Sequence, residues 1–318
     1  MVTMRRSNER GVAILAVLLG IALMTLIVVD FAMTSGLGFV SAANQANELR
    51  AGYLSRSGIS MGLALLAADA RSKQQQTTTT SSPCESLNDV WAVPFPPMDV
   101  EGGSVSLSIV DEARKLPINS MVNQAGTPNQ AAIAKMQRLF TILDVNVDLI
   151  QGIIQWISPN GANGAGGDSF YAGLIPPYAP RNGPMPTIAD LQMVEGFNQA
   201  IFNRVSPFLT VMPETAVNVN TASPQVIASL EPELTEDQKI VQEIIQARTI
   251  RPFTQPTDIM NLPDVGPVGP RLSRDVAMRS QFFTVVGTGS FAGARKIITA
   301  TFHRETSGIG TLAAWHED

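Results

Sequence analysis

The beginning of the chain constrains its fold more than any other stretch. Three arginines (Arg5, Arg6 and Arg10) precede Gly11, and the residues from Val12 to Val29 that follow carry no charge. As an α-helix, this apolar run would be about 27 Å long, close to the roughly 30 Å hydrocarbon layer of a bilayer. Because basic residues are retained on the cytoplasmic side, the sequence predicts a cytoplasmic N-terminus followed by one membrane-spanning helix.

The residues after the apolar run predict that the same helix continues. A secretory signal peptide has a shorter apolar region, followed by a cleavage site between small residues. Here large apolar residues recur at helical spacing between Ala42 and Ala70, namely Leu49, Tyr53, Leu54, Met61, Leu65 and Leu66. We expect the helix to be loosened at Thr34–Gly38, because glycine weakens a helix.

Composition argues against several classes of function. The net charge of −5 does not draw the chain as a whole toward nucleic acid. The single cysteine, Cys84, excludes an internal disulfide, and the two histidines, His303 and His316, disfavour histidine-based catalysis and histidine-rich metal sites. The chain has no glycine-rich phosphate loop after a strand and no cluster of cysteines or histidines, so we do not expect an enzyme.

Two regions with strand character flank a long helical region. Polar and apolar residues alternate from Ser104 to Val110, and Phe282–Arg304 predicts two strands that turn at Ala292–Ala294. In the second of these strands, Ile298, Ala300 and Phe302 should share one face, opposite Thr299, Thr301 and His303. The stretch Pro128–Ala277 is mostly helical in pattern. The predicted fold class is therefore α+β, with a long N-terminal transmembrane and amphipathic helix and a small antiparallel sheet interrupted by a large α-helical insert.

The basic leader that ends in Gly11, followed by an apolar helix, resembles the signal of type IV pilins and pseudopilins. The resemblance implies that prepilin peptidase cleaves between Gly11 and Val12 and that Val12 is then N-methylated. Most such subunits have glutamate at the fifth mature position, where this chain has Ala16. That carboxylate pairs with a neighbouring subunit's N-terminal amine, since an unpaired charge among membrane helices is costly. An ordinary single-pass anchor is the alternative interpretation.

Three segments narrow the resemblance, namely Val110–Met121, Pro207–Leu230 and Arg251–Val265, which read VDEARKLPINSM, PFLTVMPETAVNVNTASPQVIASL and RPFTQPTDIMNLPDV. Together with Ala16, they resemble the K-type minor pseudopilin of the type II secretion system. The implied fold is a pilin-like α+β domain interrupted by an α-helical domain. The implied function is a non-enzymatic cap on the tip of the secretion pseudopilus, which helps initiate its assembly for protein export across the outer membrane.

The resemblance also implies partners, location and domain limits. The partners would be the I- and J-type minor pseudopilins, the major pseudopilin, prepilin peptidase and the lipid of the inner membrane, with the body of the chain in the periplasm. The expected division of the chain is a leader at 1–11, a transmembrane helix at 12–29, the first part of the pilin-like domain at 30–115, a helical insert at 116–277 with a helical-hairpin region at 217–270, and the second part of the pilin-like domain at 278–318.

The residues of these segments themselves indicate structural roles. Ser223 can cap a helix that has Pro224 at its first position. Asn218 and Asn220 should bond local backbone in the turn before that helix. Asp111 and Glu112, which are adjacent at a strand end with Lys115 nearby, should point apart and serve packing rather than acid–base chemistry.

Residues 217–267 leave a second function open, because they also resemble the helix-hairpin-helix module of membrane-anchored, competence-type DNA receptors. Such a module binds phosphate through glycine-rich hairpins. The first hairpin here, Glu231–Asp237, contains four acidic residues and no glycine, so it should repel phosphate. We therefore expect no nucleic-acid partner. A minor pilin of a type IV pilus is the remaining alternative.

Calcium is implied by the K-type resemblance, at a loop that corresponds here to Gln155–Tyr171. Calcium is usually bound by six to eight oxygens, several of them from carboxylates. This loop offers Asp168 as its only carboxylate, with Asn160 and Asn163 as amide candidates. The residues favour a plain Gly/Asn-rich loop, and a calcium site remains the alternative.

Overall fold

The computed structural model describes residues 9–76, 84–159, 168–305 and 310–318. The helices are α1 (Glu9–Gln76), α2 (Gln130–Ile142), α3 (Leu149–Ile157), α4 (Asp168–Ala172), α5 (Gln199–Val205), α6 (Pro224–Leu230), α7 (Pro232–Glu236), α8 (Gln238–Ile250), α9 (Pro256–Met260) and α10 (Gly269–Leu272). The strands are β1 (Met98–Val100), β2 (Gly103–Asp111), β3 (Leu116–Pro117), β4 (Leu209–Thr210), β5 (Val217–Asn218), β6 (Val276–Ala277), β7 (Phe282–Phe291), β8 (Ala294–Arg304) and β9 (Gly310–Glu317).

Helix α1 runs for 68 residues without a break. The predicted loosening at Thr34–Gly38 is wrong, because the helix continues through both glycines. A glycine costs a helix only about 1 kcal/mol relative to alanine, and no proline lies in α1 to end it. The Thr34 hydroxyl also donates to the carbonyl of Asp30 at 2.8 Å, within the helix.

A five-stranded antiparallel sheet forms in the order β1-β2-β7-β8-β9. The predicted strand pair is confirmed, and its turn places Ala292 and Gly293 at φ values of 46° and 86°. The predicted inner face is also confirmed, since Ile298, Ala300 and Phe302 are all buried. Strands β1 and β9 were not predicted. The first is only three residues long, and the second lacks a buried alternate face.

The second half of α1 packs across this sheet. Ile59 and Leu66 join Phe283, Val285 and Leu107 in one apolar core. Two glycines of β7 permit the close approach, because a side chain at Gly289 would collide with the backbone of Ala51 and one at Gly287 with that of Ser55. The Ser55 hydroxyl donates to the Gly287 carbonyl at 2.7 Å. Because Gly287 meets Ser55 and the later Gly289 meets the earlier Ala51, β7 starts nearer the C-terminal end of α1 and runs back toward its middle.

The chain between β2 and β7 forms the helical insert, which contains α2–α10 around a second apolar core. Fully buried side chains such as Phe140, Tyr171, Leu191 and Ile227 fill it. Two short parallel strand pairs, β3–β4 and β5–β6, lie in the same region. Because Asp111 pairs with Phe283 in the sheet register, the chain leaves and re-enters the sheet at neighbouring strand ends. The predicted α+β fold class, a sheet interrupted by a helical insert, is confirmed.

Candidate functional site

The first half of α1 is exposed along its whole described length. Every residue from 11 to 46 is exposed, including large apolar residues such as Leu19 and Phe39, which are 73% and 77% exposed. This length corresponds to about 54 Å of helix. Within the described residues, the stretch Gly11–Gln74 of α1 is the one helix long and apolar enough to cross a membrane. So much apolar surface needs lipid or other helices around it.

The residues predicted for processing lie on this exposed helix. Val12 is 65% exposed, and no atom lies within 4 Å of the position that a Cβ would take at Gly11. Ala16 is exposed one turn farther along. These positions are therefore open to molecules outside the chain, whether a peptidase or a neighbouring helix.

A buried carboxylate joins the sheet to the insert. Asp111, at the end of β2, is 1% exposed. Its Oδ2 accepts hydrogen bonds from Asn218 Nδ2 at 3.0 Å, Thr221 Oγ1 at 2.5 Å and Ser280 Oγ at 2.7 Å, and its Oδ1 accepts one from the Ala113 amide at 2.8 Å. Burial raises the pKa of Asp111, although all four donors act in the opposite direction. The two blocks that carry the resemblance, around residues 111 and 218, therefore meet at one carboxylate.

Asn218 and Asn220 make hydrogen bonds both to neighbouring residues and to residues far away in the sequence. Asn218 Oδ1 accepts from the Asn220 amide at 3.0 Å, as predicted, but Asn218 Nδ2 also reaches the Glu85 carbonyl at 3.2 Å. The prediction for Asn220 was wrong. Its side chain pairs with both backbone groups of Phe253, 33 residues away, at 2.8 and 2.9 Å. The predicted helix start is confirmed, since Ser223 Oγ accepts from the Val226 amide with Pro224 at the first position.

Glu112 has a separate set of partners, as expected for adjacent carboxylates that point apart. It pairs with Lys115 at 2.7 Å and accepts from Thr210 Oγ1 at 2.6 Å and Thr284 Oγ1 at 2.8 Å. Thr284 belongs to the sheet and Thr210 to the insert, so Glu112 fastens the same junction as Asp111. Both carboxylates are buried and bonded to other side chains, as predicted for a packing role.

A second charged cluster closes the C-terminal end of α1, and sequence reasoning missed it. Lys73 Nζ lies 2.8 Å from Asp69, 2.6 Å from Glu85 and 2.6 Å from Asp89. Burial lowers the pKa of Lys73, but these carboxylates more than compensate, so its pKa is raised. Arg304, at the end of β8, pairs with Asp69 and Glu85. Because its members are up to 235 residues apart, no local pattern could have revealed the cluster.

Asp69, Glu85 and Asp89 lie close enough together to share a metal ion. They are the one group of three or more potential metal ligands with this property within the described residues. The Lys73 ammonium already contacts all three of them, as a metal ion would. Lys73 and Arg304 therefore already neutralise the negative charge of these carboxylates.

Of the three candidate calcium residues, the structure describes only Asp168. Asp168 begins α4 and accepts from Asn182 Nδ2 at 2.7 Å, while Asn160 and Asn163 lie outside the described residues. Asn182 Oδ1 is buried without a partner among the described residues, so it is a further side-chain acceptor beside Asp168. One carboxylate and one amide oxygen fall well short of the six to eight oxygens that calcium takes. These two side chains by themselves do not fit the metal.

The acidic hairpin Glu231–Asp237, considered above as a possible DNA contact, makes ion pairs within the insert. Arg271 pairs with Glu233 and lies 3.6 Å from Glu231. Arg138 donates to the carbonyls of Ser229 and Leu230 at 2.8 and 2.6 Å, at the C-terminal end of α6. The hairpin thus packs into the insert through the buried Leu234, and two of its four carboxylates, Glu231 and Glu233, lie beside Arg271.

Two family models, both described as type II secretion system protein K, match residues 114–214 and 217–277. Together they span just over half of the chain. The chain belongs to the type II secretion system protein K family. As a family member it is a minor pseudopilin of that secretion system, and α1 makes it a membrane-anchored protein. The K-type resemblance drawn from Val110–Met121 and the two later segments is confirmed, and no comparison supports the DNA receptor or the type IV pilus alternative.

Curated relatives cover most of the chain. Type II secretion system protein K of Pseudomonas aeruginosa is 26% identical over 314 residues, which make up 95% of this chain and 91% of that protein. The Klebsiella pneumoniae protein of the same description is 25% identical over 76% of each chain. Among solved structures, the GspK-GspI-GspJ complex from enterotoxigenic Escherichia coli contains a chain that matches with a TM-score of 0.72 and 15% identity, covering 87% of this chain and 99% of that one. At this identity, the match shows a shared fold.

Proposed function

We propose that this minor pseudopilin caps the tip of the type II secretion pseudopilus and helps initiate its assembly for protein export across the outer membrane, with no enzymatic activity of its own. The observation that carries the proposal is the position of the helical insert. Strand β7 begins beside the C-terminal end of α1, so the insert lies at the end of the molecule opposite the exposed apolar helix. A subunit stacked above would collide with it.

Processing and location follow the pilin-like start of the chain. Prepilin peptidase would cleave between Gly11 and Val12 and methylate Val12, which are exposed on α1. The helix at 12–29 would then hold the subunit in the inner membrane with its body in the periplasm. The pilin-like domain would comprise 30–115 and 278–318, around an insert at 116–277 with the hairpin region at 217–270.

The partners would be the I- and J-type minor pseudopilins, because the solved structure of similar fold is a complex of GspK with GspI and GspJ. The major pseudopilin, prepilin peptidase and inner-membrane lipid complete the set. The exposed first half of α1 is the surface available to these helices and to lipid.

Ala16 fits a subunit at the tip. A glutamate at the fifth mature position is useful when a neighbour's N-terminal amine lies beside it, and it is costly when none does. A tip subunit has no further subunit above it that could supply this amine. Alanine therefore removes a carboxylate that would have no partner.

The test replaces Ala16 by glutamate in the full chain. In a strain that carries only Ala16→Glu, we expect pseudopilus formation and secretion to be unchanged or reduced, and no better than with the control Ala13→Glu, which places the same charge elsewhere on the helix. Overproduction of the unmodified chain should give fewer or shorter pseudopili. Better assembly with Ala16→Glu alone, or longer fibres on overproduction, would place the chain in the shaft and end the proposal.

A further inference from the structure

Asn182 binds a residue on each side of the loop that resembles a calcium loop. Its backbone N–H donates to the carbonyl of Trp156 at 2.9 Å, in the last turn of α3. Its side-chain Nδ2 donates to Asp168 Oδ1 at 2.7 Å, where α4 begins. Backbone carbonyls and carboxylates are the kinds of oxygen that calcium takes as ligands. Two N–H groups of one residue thus contact oxygens of the type that an ion would join.

The surrounding fold holds Asn182 in position for these two contacts. On one side of its segment, the amide of Tyr178 donates to the carbonyl of Tyr171 at 3.3 Å. On the other side, the backbone of Met185 exchanges hydrogen bonds with the side chain of Asn119 at 2.8 and 2.9 Å. Asn182 itself has a φ of 55°, a left-handed conformation that asparagine and aspartate adopt more readily than most residues with a side chain.

Aromatic packing joins the same two helices. Trp156 of α3 and Tyr171 of α4 are buried, and their ring centroids are 5.2 Å apart. The ring of Tyr178 packs against both, with centroid distances of 6.1 Å to Trp156 and 5.0 Å to Tyr171. Tilted and edge-to-face pairs at these separations are favourable. The ends of the loop are therefore held together by contacts that need no ion.

The sequence around this loop carries little negative charge. Asp168 is the one acidic residue between positions 149 and 189. Calcium affinity depends on the number of charged ligands, so one carboxylate that already accepts from an amide offers a weak site. Asn182 Oδ1 is buried without a partner among the described residues. A negative charge at that oxygen would therefore have no described donor beside it.

We propose that Asn182 replaces the metal ion at this loop, so that the insert of this chain folds independently of calcium. An amide donor binds the carboxylate that a cation would otherwise bind, and the backbone of the same residue binds the end of α3. One substitution, Asn182→Asp, should then create a site for a divalent cation, because it removes the donor and places a second carboxylate beside Asp168. This inference goes beyond tip capping and does not depend on it.

The first test exchanges the amide and the carboxylate in the full chain, in detergent with a chelator present. Asn182→Asp should lower the melting temperature by about 2 °C, because it brings two carboxylates together. The double variant Asp168→Asn/Asn182→Asp rebuilds an amide–carboxylate pair with the roles exchanged, so it should recover most of that loss. The control Asn203→Asp makes the same chemical change at an exposed position in α5 and should cause no fall. Circular dichroism checks that each variant is folded. A double variant that melts no higher than Asn182→Asp would refute the pairing.

The second test adds calcium to the same four proteins. Millimolar calcium should raise the melting temperature of Asn182→Asp by at least the amount that the substitution removed, because a ligand that binds the folded state stabilises it. It should leave the unmodified chain, the double variant and Asn203→Asp unchanged. Isothermal titration with calcium chloride should show a heat of binding for Asn182→Asp alone. A calcium response in the unmodified chain, or none in Asn182→Asp, would overturn the proposal.

Discussion

Replacement of Asp111 by asparagine tests whether one buried carboxylate joins the sheet to the insert. Asparagine keeps the size of the side chain but turns one acceptor oxygen into a donor. The better orientation keeps an oxygen toward Asn218, Thr221 and Ser280, so the new amino group faces the Ala113 amide, which is fully buried. A buried amide left without an acceptor costs about 1–3 kcal/mol. The loss of charge-assisted bonds is offset by relief from burying a charge, which is the effect that raises the pKa of Asp111.

We therefore expect Asp111→Asn to lower the free energy of unfolding by about 1–3 kcal/mol at neutral pH. The measurement is urea denaturation of the full chain in detergent, followed by circular dichroism. Asp99→Asn makes the same chemical change at an exposed position in β1 and should alter stability by less than about 0.5 kcal/mol. If the two variants are equally stable, the Asp111 network does not hold the junction and the reasoning fails.

Three further predictions concern processing, metal and nucleic acid. Mass spectrometry of the mature protein should begin at N-methylated Val12, and Gly11→Ala should retain the leader and abolish secretion; functional protein that still carries residues 1–11 would contradict the pilin-type processing. A bound ligand stabilises the folded chain by RT ln(1 + [L]/Kd), so without a calcium site millimolar calcium should change the melting temperature little. Asp168→Ala should not alter that response. A large shift abolished by Asp168→Ala would show that other oxygens complete a calcium site there. The full chain should not bind duplex DNA measurably at physiological salt, where nonspecific binders reach about 10⁻⁴ to 10⁻⁶ M, and salt-sensitive micromolar binding would revive the DNA-receptor interpretation.

Local patterns predicted the parts of this fold that depend on neighbouring residues. The apolar run from Val12 to Val29 and the spacing of Leu49 through Leu66 predicted α1, and alternation predicted β2 and the strands of Phe282–Arg304. Ser223 followed by Pro224 predicted the start of α6. In each case, the period or the cap lies within one element, so the residues that determine the structure are adjacent in the sequence.

The junction could not be predicted in the same way. Asp111 meets Ser280 across 169 residues, and Arg304 meets Asp69 across 235. Neither pairing follows from periodicity, because each depends on where the sheet places its strand ends. Sequence reasoning assigned Asn220 to a local turn for the same reason, whereas the fold brings Phe253 to it. The strand β9 was missed because its side chains are mostly exposed and so lack the alternation that marks a half-buried strand.

The central claim is that this chain joins the other minor pseudopilins at the tip rather than the shaft. In its most direct test, the full chain is expressed in the same cells as the I- and J-type minor pseudopilins and the major pseudopilin. The chain is then purified from the membrane, and the subunits that purify with it are identified. The account predicts a detergent-stable complex of the chain with both minor subunits, and immunogold label confined to one end of each pseudopilus. A chain that fails to join the minor subunits and is labelled along the whole fibre with the major pseudopilin would contradict it.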